Sequence, residues 1–359
     1  MSDFLQEWAS DPTKAGTLPY GAFEPNIPHN GVGAVVVVRG VLYFKGGFTA
    51  EGRAAIATCF ERYREVFNAP LTWYFQEGKR AVKFDKAPSL AKVATSLSED
   101  EPFTFAFTDA QTSREAGAYQ FSAFCLEKWQ AAMGTRGLDV LTFSVPVAAV
   151  KTDTELLPQL FVEFASALGA AHGHAGYAVN LPPTGKEENE SSEFFFSRQL
   201  GPGLDVGSPI RTTFRALSDK LKTIDWLVAL GPSMVEKLGG RQAMSLPPDW
   251  FRITPYRDGG LVVRAGLQPR AGSEDVAQGA PAVPPPAYVA LNAALKSVIA
   301  EQIGTLQNGT AMGDAPVYNT ESSSNEWLHR FDVSPDALLA AQASVLETPK
   351  LPPLPDRSD

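Results

Sequence analysis

The residues best placed to do chemistry are His172 and His174, separated by Gly173. On a strand, alternate side chains point the same way, so two imidazoles at this spacing could share a metal. Such a pair would serve a metal-dependent hydrolase. No cysteine or third histidine lies nearby, and Gly169, Gly173 and Gly176 predict a tight helix-to-strand turn there. A packing role for both rings is the simpler expectation, and no metal or other cofactor is expected. Cys59 lies beside Phe60, and Cys125 sits between Phe124 and Leu126. Both read as buried packing residues rather than nucleophiles. Gly231-Pro232-Ser233-Met234-Val235 lacks the second glycine of a nucleophile elbow. The chain has no Gly-x-x-x-x-Gly-Lys-Ser/Thr loop, and no Gly-x-Gly-x-x-Gly follows a strand. No catalytic set emerges, and the protein is not expected to be an enzyme.

Charge offers more. Across 359 residues there are 31 Lys and Arg against 40 Asp and Glu, a net charge of −9. Nucleic-acid binding is a poor fit to that balance, whereas a basic protein partner suits it. The acidity is local. Glu187, Glu188, Glu190 and Glu193 against Lys186 give −3, and residues 270–359 contribute −6 from 11 acids and 5 bases. Phe194-Phe195-Phe196 follows the glutamates directly. Read as a strand, it places Phe194 and Phe196 on one face. A loop of four glutamates running into Phe194 would be an aromatic anchor rimmed by acid, which is the candidate binding site.

The elements that would position these groups follow from periodicity. Ala34–Val38 and Val41–Phe44 form a β-branched and aromatic run that predicts a buried strand, with a possible bend at Gly40. Ile56, Cys59, Phe60, Tyr63 and Phe67 fall on one helix face, ended by Pro70. Leu71–Phe75, Phe103–Thr108, Val140–Val147 and Tyr177–Leu181 read as strands. Thr152-Asp153-Thr154-Glu155 has the spacing of a capping box ahead of the stripe Leu156, Leu157, Leu160, Phe161, Phe164 and Leu168. Ser208-Pro209 predicts a helix start with Ile210, Phe214, Leu217 and Leu221 inward. Trp250–Thr254 and Leu261–Arg264 flank Asp258-Gly259-Gly260, which is hairpin chemistry. A helix with Tyr288, Leu291 and Leu295 inward follows a proline-rich loop, and another runs from Ser334 to Val345.

Together these predict an α+β fold: a mixed or antiparallel sheet with long amphipathic helices packed on it. Residues 1–30 are expected as an irregular arm, 31–305 as one domain, and 306–359 as an acidic, proline-rich tail with a short helix. No apolar run approaches the roughly 18 residues of a membrane span. The N-terminus does not read as a signal peptide, and two cysteines make no disulfide framework. A cytoplasmic location is expected.

Residues 224–272 add a resemblance. They read Ile224-Asp225-Trp226-Leu227, Leu230-Gly231 and Leu238-Gly239-Gly240. Gly259-Gly260-Leu261-Val262-Val263-Arg264-Ala265-Gly266 and Pro269-Arg270-Ala271-Gly272 follow. With the His172–Gly176 turn and the Tyr288 helix, this order resembles the bacterial type VI immunity family, over roughly residues 30–305. The resemblance implies a protein that protects a cell by binding a toxin delivered by a type VI secretion system, in some members a nuclease, without catalysis. It also implies that Gly239, Gly240, Gly259 and Gly260 are structural turn positions. A metal-dependent hydrolase and a secretion-machinery scaffold are the rival readings.

Overall fold

The computed structural model describes residues 3–133, 137–213, 217–275, 280–309 and 315–353. Its spine is the valine-rich run, which forms one continuous 13-residue strand, β2 (Val32–Phe44). No break occurs at Gly40, where a side chain would strike the Phe143 ring. Around β2 are β1 (Thr17–Pro19), β3 (Trp73–Gln76), β4 (Val82–Lys83), β5 (Phe105–Thr108), β6 (Gln120–Phe124) and β7 (Asp139–Pro146). The set is completed by β8 (His172–Asn180), β9 (Leu227–Leu230), β10 (Phe251–Pro255) and β11 (Leu261–Ala265). They make a single 11-stranded sheet in the order β10-β11-β9-β8-β2-β7-β6-β5-β3-β4, with β1 beside β2. Every pairing between these strands is antiparallel, so the sheet is not mixed.

One face is packed as predicted. Helix α1 (Asp3–Ser10) belongs to the N-terminal segment, and α2 (Ala50–Phe67) is the first long helix. Thr49 caps α2 through Gly52 N, and Asn68 ends it in the left-handed region at φ 44°. Its buried Ile56, Cys59, Phe60 and Tyr63 meet an aromatic layer from the sheet, with Phe60 and Phe107 centroids 4.3 Å apart. Tyr63 Oη donates to Ser144 O at 2.7 Å. Helices α3 (Leu90–Ser96) and α4 (Lys128–Ala132) lie at the far end.

Thr152 does not cap the next long helix. It closes α5 (Val147–Thr152), and Asp153 Oδ1 instead accepts from the amides of Glu155 and Leu156, at 2.9 and 3.2 Å, to start α6 (Leu156–Leu168). Glu155 is left free to bind Arg252 and Arg264. Leu157, Leu160, Phe161 and Phe164 of α6 join the same core.

Helix α7 is Glu190–Leu200, and α8 (Pro209–Thr213) lies on the other face, where Tyr43 Oη donates to Pro209 O at 3.1 Å. The phenylalanine triplet is therefore helical, not extended. Acids in the first turn favour a helix N-terminus, and Gly201 at φ 112° ends it. Three consecutive aromatics on a helix point in different directions, so only Phe196 is buried, against Tyr177 and Val179. Helix α8 is shorter than predicted, and Phe214 lies outside the described residues.

Helix α9 (Pro232–Lys237) follows β9. Helix α10 (Pro286–Ala294) packs against α12 (Pro335–Leu346), after α11 (Glu321–Leu328). The N-cap of α12 is Ser334, as its sequence predicts. The last described residues run along β10: Trp250 Nε1 donates to Thr348 O at 3.0 Å, and Leu351 N donates to Asp249 O at 2.8 Å. Gly239, Gly240 and Gly259 have φ of 79°, 89° and 88°. Gly260 does not; it lies over the Tyr256 ring, where a side chain would clash. Among the described residues no helix is long and apolar enough to cross a membrane.

Candidate functional site

The segment singled out by its charge divides into two parts. Glu187 is exposed and Glu188 half-buried, both in a short 3-10 turn, and Phe194 is half-buried against Tyr318 at 4.9 Å between centroids. Glu190 and Glu193 are buried in the first turn of α7. Glu193 Oε1 accepts from Gly207 N at 2.9 Å, and its Oε2 from Gln307 Nε2 at 2.6 Å. Glu190 Oε2 accepts from Gly309 N at 2.9 Å. Burial pushes the Glu190 carboxyl up to about 7 and raises that of Glu193. These two carboxylates fasten residues 307–309 to α7; they are not a solvated acidic loop.

Beneath them, on the sheet, is a buried charge network. Asp205 Oδ2 accepts from Arg39 Nη2 at 2.9 Å and from His174 Nε2 at 3.2 Å, while Lys222 Nζ sits 2.6 Å from Oδ1. Burial would raise the Asp205 carboxyl, but Lys222, His174 and Arg39 hold it well below the ordinary carboxylate range. The two histidines do share a strand face, as their spacing predicts. They face different partners: His172 Nε2 is 2.6 Å from Leu217 O. Burial pulls His172 down to about 4 and lowers His174 as well, so both rings are neutral and donate Nε2–H to these acceptors. Among the described residues, no group of three His, Cys, Asp or Glu is arranged to hold a metal. The thiols are inert: burial pushes Cys59 up to about 12 and Cys125 well above its ordinary value.

A cleft of about 180 Å³ opens between this network and α7, with Arg39, Lys186, Arg211, Glu190 and Glu193 in its walls.

The combination sought at 187–194 occurs instead at the far end of the sheet. Trp129 is 51% exposed and Met133 72%, one helical turn apart at the end of α4. The turn Glu99-Asp100-Glu101 is tied to that helix by Lys128 N donating to Glu99 O at 3.0 Å and by a Lys128–Glu99 ion pair at 2.6 Å. Glu127 caps α4 and accepts from the Trp129 indole N–H. Four acids against Lys128 leave this face at −3. No motif in the sequence sets Trp129 apart. The adjoining Glu99-Asp100-Glu101 run was the available signal.

These features can be set beside known proteins. A solved structure of the Pseudomonas aeruginosa T6SS protein PA0821 is similar, with a TM-score of 0.88 and 31% identity over 99% of this chain and 98% of that one. No curated protein sequence matches. The family match runs past residue 305, where the resemblance seen in the sequence stopped, and takes in α11. The chain belongs to the TsiV family, type VI immunity for VRR-NUC, whose profile matches residues 55–331.

Proposed function

We propose that this protein binds a VRR-NUC nuclease toxin one-to-one in the cytoplasm and blocks it by covering its nucleic-acid groove. The family supports the partner class. The observation that carries the mode is the exposed Trp129 and Met133 set in Glu99, Asp100, Glu101 and Glu127. A nuclease groove is basic because it must hold phosphates, and acid around an aromatic anchor complements it. The charges speed encounter and the apolar centre slows release. Protection by occupancy alone requires a Kd of roughly nanomolar or below, about −12 kcal/mol. In this reading the protein acts by binding and not by catalysis, which the immunity family supports. Glu187, Glu188 and Phe194 form a second, smaller acid–aromatic surface, which the same experiment weighs.

The test is co-expression with a VRR-NUC toxin from the same genome, followed by size-exclusion chromatography at low and high salt, and by survival of cells producing the toxin. A complex with rescue is expected, forming more slowly at high salt. No complex and no rescue would remove the reading. A complex that survives Trp129→Ala but is lost with Glu187→Lys and Glu188→Lys would move the interface to the second surface.

A further inference from the structure

The cleft over the sheet holds cationic groups without partners. Arg39 is 6% exposed, and its two terminal nitrogens are spent on Val179 O and Asp205, yet its Nε is buried with no acceptor. Arg211 reaches Thr305 Oγ1 with Nη2 at 3.3 Å, while its Nη1 is buried and unpartnered. Lys186, in the same wall, makes no ion pair or hydrogen bond among the described residues. Buried donors of charged groups are rarely left unsatisfied, because each has given up its water without gaining an acceptor.

The acids beside them do not answer these donors. Glu193 spends both oxygens on Gly207 N and Gln307, Glu190 accepts from Gly309 N, and Glu187 accepts from Asn308. Arg39, Arg211 and Lys186 thus line a void of about 180 Å³ beside acids whose hydrogen bonds go to other donors. We infer that this cleft is a binding site for a small oxyanion, a phosphate-type or carboxylate group, held by the side chains of Arg39, Arg211 and Lys186. Burial and the nearby Arg39 both lower the pKa of Lys186, the condition a counter-anion would relieve. Glu190, raised to about 7, is largely uncharged below neutrality and opposes an anion little. The inference does not depend on the toxin reading.

The test is titration calorimetry of the full chain with sodium sulfate, phosphate and acetate in turn, at ionic strength matched with chloride. Saturable binding is expected, weakened at least ~10-fold by Lys186→Gln or Arg211→Gln. Because sulfate also stabilises proteins generally by exclusion from their surface, thermal shifts are compared between wild type and variants. A shift common to both is that general effect and overturns the site. Sulfate and phosphate binding without acetate assigns it to phosphate-type groups, and acetate binding alone assigns it to carboxylates. No saturable heat with any of the three, or equal heat in the variants, overturns the inference. Lys186 is half-buried, so its variant keeps the test available if Arg211→Gln does not fold.

Discussion

Residues 186–194 and the face made by residues 99–101 with 127–133 have nearly the same composition: four acids, one lysine and an aromatic. They do opposite work. In the first, two glutamates turn inward and accept hydrogen bonds from segments far along the chain, so their charge serves cohesion. In the second, every acid lies on the surface or half-buried at it, and the apolar groups stand out into solvent. Equal charge density along a sequence therefore says little about a surface. What matters is whether the carboxylates already have donors of their own.

The comparison can be broken most directly at its apolar centre. Trp129→Ala should cost about 2–4 kcal/mol of toxin affinity, on the order of 100-fold, with little change in stability. Dissociation rates by surface plasmon resonance check the first part and urea melts the second. The converse holds at Glu193. Glu193→Ala leaves Gly207 N and the Gln307 amide without an acceptor, so unfolding should become easier by about 1–3 kcal/mol while toxin association is unchanged.

A pH experiment sharpens the same contrast. The Glu190 carboxyl is raised from 4.5 to about 7, so the folded state holds a proton that the unfolded state gives up earlier. Its contribution is present below about 4.5 and is lost as pH rises through about 7, about 3 kcal/mol in all. Glu190→Gln should flatten that part of the stability profile between pH 5 and 7.5. The smallest effect is kinetic. Lysines at 99, 100 and 101 should slow association about 10-fold at low salt, with the difference closing at high salt. Lysines at 187 and 188 should slow it less. Equal slowing by both sets would erase the distinction between the two regions.

Much of the architecture was legible. β2, α2 and α6 announce themselves through β-branched density, one-sided periodicity and defined stops, because their burial is decided within their own length. The fate of Glu190 and Glu193 was not, since Gly309, Gly207 and Gln307 are brought to them only by the tertiary fold. The phenylalanine triplet misled for a related reason. Residue type favours a strand, but the acids ahead of it and the glycine behind it favour a helix, and context won. His172 and His174 were read in a helix-to-strand turn, whereas β8 begins at His172 and puts both rings on one strand face. Their separate acceptors, Leu217 O and Asp205, could not be read from spacing.

An open sheet of eleven strands has two raw margins, each able to recruit a strand from another molecule. One margin is β4, only two residues long. The other is β10, and the proline-rich end lies along it, held by Trp250, Asp249 and a bond from Arg252 to Pro352 O. Prolines carry no amide hydrogen, so the strap occupies the margin without offering a new one. The segment from Thr348 to Pro352 thereby covers part of that margin.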